Sequence, residues 1–251
     1  RIKPPFPALK GAFGRPTIIN NVETLAILPD ILNNGVDWFR SIGRGSVLSD
    51  KAPGSYGPKL FGISGKVNQT GVYEDALGVK MSDLIEGVCC GMRNGKKFKA
   101  AIPGGVSMGF LSTDQYDAEL DFDIGKRYGV LGLGTAGVIV MDEDDSIVSM
   151  TRNIVRFFSH ESCGQCTPCR EGSGWLYKML CRMEAGDGTY RDLEIMEEVA
   201  VSMGAMPGTT ICGLADGTNW AVKTALQKFR SEFEALCKPS VVPMTVSAAT
   251  G

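Results

Sequence analysis

Three cysteines at CxxCxxC spacing, Cys163-Gly-Gln-Cys166-Thr-Pro-Cys169, are the residues in this chain best suited to chemistry. Scattering 8 cysteines at random over 251 positions yields roughly 0.008 such runs, so the spacing needs a reason. Three thiolates from one loop can wrap one corner of a cubane, and a remote cysteine then completes the fourth iron. Zinc is the alternative. Structural zinc usually draws two ligands from each of two knuckles. One triple run followed by a distant cysteine suits a [4Fe–4S] cube better, with electron transfer as its use.

Three residues compete for the fourth position. Cys181 lies beside an apolar helical stripe, where a small half-polar side chain can simply pack. Cys237 stands just before Lys238-Pro239. Cys212 sits in MPGTTICGLADG, a turn between two helical patterns, with a glycine on its flank that lets backbone approach inorganic sulfide. A turn at a bundle end is also where the CxxCxxC loop should lie, and Cys212 is favoured. Cys89 and Cys90 read as packing residues. Such uneven clustering argues for a reducing compartment and metal ligation over a disulfide set.

Other motifs carry less. Gly132-Leu-Gly-Thr-Ala-Gly137 matches GxGxxG, but a strand-like run follows where a dinucleotide site needs a helix N-terminus. Gly105-Val-Ser-Met-Gly109 matches a nucleophile elbow. The only histidine, His160, stands just before the cysteine loop, which argues against a hydrolase triad and for a structural or cluster-tuning role. Arg170, beside Cys169, either favours a reduced cluster or is solvated. A net charge of −2, with 43% hydrophobic and 22% charged residues, offers no electrostatic case for nucleic acid or an anionic membrane. The longest apolar run, residues 128–141, is too short and glycine-broken to span a bilayer. With no secretory signal and Arg as first residue, the amino terminus reads as cut.

The elements that would position these residues form an α+β pattern. A stiff proline-rich opening leads into a helix with Val22, Leu25 and Leu28 (or Ile27) near one face. Pro and Gly around residues 43–58 mark a linker or an exposed loop. Residues 59–66 and 71–74 read as paired strands. Met81, Leu84, Ile85 and Val88 define one face of a helix. Phe98, Ala100 and Ile102 alternate as a half-buried strand, and residues 137–141 supply another. Strand pair, helix and returning strands suggest a β-grasp unit. Helical stripes then follow, the first capped by Asp144 or Asp145 (Ile147, Met150, Ile154, Val155, Phe158), the second Trp175, Leu176, Met179, Leu180 and Met183. The third, capped by Asp192, holds Leu193, Met196, Val199, Ala200 and Met203. Val222, Leu226, Phe229, Phe233 and Leu236 complete a four-helix bundle with a shared core. The expected units are residues 1–56, 57–142 and 143–251.

SHESCGQCTPCREG (residues 159–172) with TTICGLADG (residues 209–217) resembles the NADH-binding flavoprotein subunit of respiratory complex I. That family includes flavin subunits of NAD-linked hydrogenases and formate dehydrogenases. KPPFPA (residues 3–8) and NNVET (residues 20–24) resemble the second half of its flavin domain, so the likeness runs along nearly the whole chain. It implies the end of a flavin-binding α/β domain, a β-grasp (SLBB, ubiquitin-like) domain and a helical cluster domain. It implies that Cys163, Cys166, Cys169 and Cys212 ligate the first cluster after the flavin, that Lys3 and Phe6 face NADH, and that Asn20, Asn21 and Thr24 contact FMN. A hydride would pass from NADH to FMN, and single electrons would then reach the cluster. The implied partners are the other peripheral-arm subunits, above all a small [2Fe–2S] thioredoxin-like subunit and the large iron–sulfur subunit. No nucleic acid and no membrane insertion is implied, and the location is peripheral, on the cytoplasmic face of a bacterial inner membrane or the matrix side in mitochondria. The family's glycine-rich phosphate loop and acidic NADH-binding stretch have no counterpart here, so the chain alone is expected to be inactive. Ala221 stands where the family commonly has Pro. The rival expectations are the matching subunit of a soluble hydrogenase or formate dehydrogenase, and a non-catalytic module whose four cysteines hold a structural zinc.

Overall fold

The computed structural model describes residues 5–49 and 51–238, so Lys3 lies outside the described residues. Three short helices open it: α1 (Val22–Ala26), α2 (Leu28–Asn34) and α3 (Val36–Ser41). A small antiparallel pair follows, β1 (Gly43–Arg44) with β2 (Ser55–Tyr56). Then come β3 (Pro58–Gly65), β4 (Gly71–Ala76), α4 (Met81–Asp83, running on as a π-turn through Leu84–Val88), β5 (Phe98–Ile102), α5 (Ile124–Tyr128) and β6 (Gly137–Asp142). The remainder is helical: α6 (Ile147–Glu161), α7 (Thr167–Glu184), α8 (Tyr190–Ser202), α9 (Leu214–Lys228) and α10 (Arg230–Glu234). A short parallel pair, β7 (Gly188–Thr189) with β8 (Cys237–Lys238), closes the end remote from the cysteine loop.

The central sheet has the order β4-β3-β6-β5. β3 pairs antiparallel with β4 across a tight connection and parallel with β6, which needs the long crossover that α4, β5 and α5 supply. Phe61 and Ile63 alternate inward along β3 and pack with Val138 and Val140 of β6 over Met81, Leu84 and Ile85. β5 departs from the expected half-buried alternation. Ala100, Ala101 and Ile102 are all buried, and the register shifts between Phe98 and Ala100. The reason is that both faces are covered. Ala101 joins the core above α4, while Ala100, Ile102 and Met141 join the core of the helices.

The helical stripes land on the helices expected, with local corrections. Ser146, not Asp144 or Asp145, caps α6, its side chain accepting from the Ser149 N–H. Thr189 caps α8, and Asp192 is the return partner in a capping box. Trp175 is 54% exposed, because the buried face of α7 is set by Cys169, Gly172, Ser173, Leu176, Met179, Leu180 and Met183. A Cβ on Gly217 of α9 would stand 2.8 Å from the Phe158 ring, so glycine is what lets α9 close on α6.

The opening segment behaves differently. No residue of 5–49 is buried, and Val22, Leu25 and Leu28, expected to face a core, are exposed. Pro29 divides the single expected helix into α1 and α2, because it has no N–H to give the Leu25 carbonyl four residues back. Polar contacts hold the segment instead. Glu23 accepts from the Leu60 N–H at 2.9 Å and pairs with Lys59. Arg44 bonds Glu119 at 2.6 Å and also Asp121, which is 1% exposed and shared with Arg127. The Ser46 hydroxyl donates to Asp123 at 2.8 Å.

Sheet and bundle are joined by α9. The Thr224 hydroxyl accepts from the Phe110 N–H at 2.8 Å and donates to the Trp220 carbonyl at 2.6 Å. Lys228 donates to the carbonyls of Phe110 (2.7 Å) and Tyr128 (2.8 Å) and to Gln115 Oε1 (2.8 Å). Burial pulls its ammonium down to about 8, against the opposing Asp114 carboxylate. Between that value and the usual lysine range the unfolded chain keeps a proton that the folded chain releases, so stability rises with pH across the window. Lys228→Met should cost about 1–3 kcal/mol near neutrality by stranding those acceptors. Urea unfolding at pH 7 and pH 10 should also find a smaller pH-dependent gain in the variant than in the parent chain.

Candidate metal centre

The CxxCxxC run occupies the turn of a helical hairpin. Ser162 ends α6, Cys166 is the N-cap of α7, and Thr167 and Pro168 open that helix, so Cys169 falls in its first turn. Proline is favoured at such a start because its absent N–H would have no intrahelical partner. Gly164 has φ +76°, a left-handed conformation that most side chains resist, and it turns the chain between Cys163 and Cys166. Arg170 locks this arch, donating to the Gly164 carbonyl at 2.7 Å and to Glu171 Oε1 at 2.9 Å. Arg170 is solvated, as one of its two readings had it, and also clamps the loop, leaving a cation beside it.

The Cys212 turn reaches the same spot from α8 and α9. The Ile211 N–H points at Cys166 Sγ, 3.4 Å away. Burial pushes the Cys169 thiol up, the Ser162 hydroxyl opposes that, and Cys212, Cys166 and Cys163 add to it in that order. Cys169 therefore lies within electrostatic reach of the other three thiols. Cys169 is buried, Cys166 partly so, and Cys163 and Cys212 are exposed, which sets the centre at the rim of the bundle. Among the described residues no three His, Cys, Asp or Glu side chains are arranged to hold a single ion. Four sulfurs from two loops, with donors already aimed at two of them, fit a cluster whose irons sit at separate corners. The N-termini of α7 and α9 both begin at these loops, and their partial positive charge suits a thiolate-rich anionic group.

The competing cysteines lie elsewhere. Cys181 is twelve residues along α7 from Cys169, about 18 Å at helical rise. Cys237 is paired with Gly188 beyond the far end of α7, and its thiol donates to the Phe233 carbonyl at 3.3 Å. His160 is exposed in the last turn of α6, and among the described residues its side chain has no hydrogen-bond partner to support the tuning role expected of it. The GxGxxG run is a loop whose Ala136 carbonyl accepts from Gly62 N–H as the chain enters β6. At the other end, Phe6 is 70% exposed, and Asn20, Asn21 and Thr24 are exposed as well. Asn21 Oδ1 caps α1, accepting from the N–H groups of Glu23 (2.9 Å) and Thr24 (3.2 Å).

Sequence reasoning missed the residues that build the Cys212 turn. Asp216, buried in the first turn of α9, accepts from the N–H groups of Ala205 (2.8 Å) and Met206 (3.2 Å). Asn219 donates to the Met203 carbonyl at 3.1 Å. Thr209 bridges backwards, its hydroxyl donating to the Ser202 carbonyl (2.8 Å) and accepting from the Gly204 N–H (3.1 Å). A Cβ on Gly204 would stand 2.4 Å from Asp216 Oδ1, so that position must be bare. The available signal was an aspartate three residues into a helix that follows a glycine-rich turn.

Residues 149–236 match a family model described as the NADH-ubiquinone oxidoreductase-F iron-sulfur binding region. Among curated proteins, the chain is 44% identical over 235 residues to the F 2 subunit of NADH-quinone oxidoreductase in Rhizobium meliloti (strain 1021), covering 94% of this chain and 53% of that protein. It is 42% identical to the NADH-quinone oxidoreductase F subunit of Rickettsia rickettsii (strain Sheila Smith), covering 95% of this chain and 54% of that one. Among solved structures, an NAD+-reducing [NiFe]-hydrogenase in the air-oxidized state superposes with a TM-score of 0.78 at 33% identity, over 96% of this chain and 39% of that chain. The chain spans about half the length of the curated relatives it matches. Family match and relatives agree on its kinship: the chain is homologous to the carboxy-terminal half of NADH-quinone oxidoreductase F subunits and carries their iron–sulfur binding region over residues 149–236.

Proposed function

We propose that this chain carries the iron–sulfur half of an NADH:quinone oxidoreductase flavoprotein, in which electrons from NADH pass through FMN to one [4Fe–4S] cluster held by Cys163, Cys166, Cys169 and Cys212. The observation that carries the reading is the approach of the Cys212 turn to the CxxCxxC loop, with the Ile211 N–H aimed at Cys166 Sγ. The cluster would supply reversible one-electron storage; the protein supplies ligands, hydrogen bonds and field. Exposure of Cys163 and Cys212 leaves an edge of the site open for electron exchange with a neighbour. Suitable neighbours are a small [2Fe–2S] thioredoxin-like subunit and the large iron–sulfur subunit of the same assembly. Among the described residues no helix is long and apolar enough to cross a membrane, which suits a peripheral place on the cytoplasmic or matrix face.

The remaining assignments follow the same reading. Strand order β4-β3-β6-β5, with its parallel β3–β6 pair between two antiparallel ones, supports a β-grasp domain over residues 57–142, between the flavin-domain end (1–56) and the cluster domain (143–251). Phe6, Asn20, Asn21 and Thr24, with Lys3 outside the described residues, would line one side of the flavin and NADH pocket. Asn21 would offer its amide, since its oxygen is committed to the helix cap. The exposed apolar residues Phe6, Phe13, Ile18, Ile19 and Val22 would be covered by the counterpart of the half of the relatives not spanned here. The superposable hydrogenase keeps a second reading in view, the same electron-transfer role in an NAD-linked hydrogenase. Quinone-dependent NADH oxidation by the assembled complex, as against hydrogen-dependent NAD+ reduction, separates the two.

Three outcomes test these assignments. Cys212→Ser should abolish stable assembly of four irons and four sulfides on the reconstituted chain while Cys181→Ser leaves it intact; zinc without sulfide, or the reverse pattern, sinks the ligand set. Asp216→Ala should strip two charge-assisted bonds from the Cys212 turn, costing about 1.5–3 kcal/mol there. It should release iron to a chelator faster than the parent, at unchanged helical circular dichroism. The cluster-loaded chain alone should bind FMN weakly and show no NADH-dependent reduction of an artificial acceptor, because one short exposed stretch cannot hold nicotinamide against flavin.

A further inference from the structure

We infer that the Ser162 hydroxyl is a built-in potential-setting donor to the cluster sulfur of Cys169, an inference that rests on the cluster reading above. Ser162 Oγ lies 3.3 Å from Cys169 Sγ. The same oxygen accepts from the Gly164 N–H at 3.4 Å, so one lone pair is engaged and the hydroxyl proton is left for the sulfur. Once Cys169 binds iron its sulfur has no proton, and only the hydroxyl can donate. The backbone fixes this arrangement twice over. Ser162 closes α6, its N–H bonded to the Phe158 carbonyl, and Gly164 is held in its left-handed turn by Arg170.

Cys169 is the most buried of the four thiols, at 8% exposed. A donor acts most strongly where water does not compete for the acceptor. Cys166 is served by a backbone donor, the Ile211 N–H, which no side-chain change can remove. Ser162 is therefore the side chain through which this pattern can be altered. Reduction adds one electron to the cluster, with no bond made or broken, and spreads negative charge onto the sulfurs. A donor stabilises the more negative state more, so it raises the potential. Ser162 touches a ligand atom but acts on the irons through it, as a tuning and positioning residue.

The test is an EPR-monitored redox titration of the cluster-loaded full chain, with dithionite as reductant, comparing the parent with Ser162→Ala and Ser162→Thr. At the parent's midpoint, Ser162→Ala should lower the ratio of reduced to oxidised cluster about three- to tenfold, tenfold being ~59 mV for one electron. Ser162→Thr, which keeps the hydroxyl, should restore the parent value. Four irons and four sulfides in Ser162→Ala with an unmoved midpoint overturn this inference and leave the cluster reading standing. A parent chain with zinc and no sulfide overturns the cluster reading itself. Should Ser162→Ala fail to hold its irons, pulsed EPR of the 15N-labelled parent decides. A solvent-exchangeable proton coupled to the cluster and not bonded to 15N supports the hydroxyl donor, and its absence overturns it.

Discussion

The Asp216 carboxylate is the interaction on which the rest of the centre depends. Buried in the first turn of α9, it holds the N–H groups of Ala205 and Met206 and so folds the preceding turn back over the bundle end. The turn is otherwise glycine-rich, and loops of that kind cost backbone entropy to order. Asp216 concentrates the compensating bonds in one buried place, with Asn219 and Thr209 completing the set. Position of Cys212 is thereby inherited from the packing of α9. That helix is itself seated by the contact between Gly217 and Phe158.

Such seating would mean little if the helices moved independently of the sheet. They share a core with it, since β5 and β6 send alternate residues to opposite sides. Thr224 and Lys228 stitch α9 to the loops around Phe110 and Tyr128, using a hydroxyl and an ammonium that are costly to bury unpaired. One face of the site is thus referenced through a single helix to a rigid sheet. Sub-ångström control of donor-to-sulfur distance needs such a frame, because hydrogen bonds to sulfur tune a cluster only while they are held.

The opening segment follows the opposite plan. Many of its apolar residues face outward, and its attachments combine the Phe39 ring against Gly57 with ion pairs centred on Glu23–Lys59 and on Arg44 with Glu119 and Asp121. A buried carboxylate such as Asp121 needs both arginines to offset its desolvation. The attachment sets where the segment leaves the sheet, while its outward row of Phe, Ile and Val stays free for another surface. The four cysteines of the proposed ligand set all lie within residues 147–238, apart from this segment.

Sequence alone determined whatever is written in short range. The CxxCxxC spacing suggests a cluster loop, and the period of apolar residues announces the helices, because both depend on neighbours within a turn or two. Resemblance to a known family supplied the overall order of units. Tertiary structure decided what spacing cannot encode. It set the Cys212 turn beside Cys166 at the start of α7 and placed Cys181 and Cys237 further along or beyond that helix. It turned Trp175 outward, left His160 exposed, and buried both faces of β5. It also revealed Asp216 and Ser162, whose roles lie in distances to groups on other loops. A residue's partner across space is fixed by how helices pack, and packing is a property of the whole fold rather than of any window of sequence.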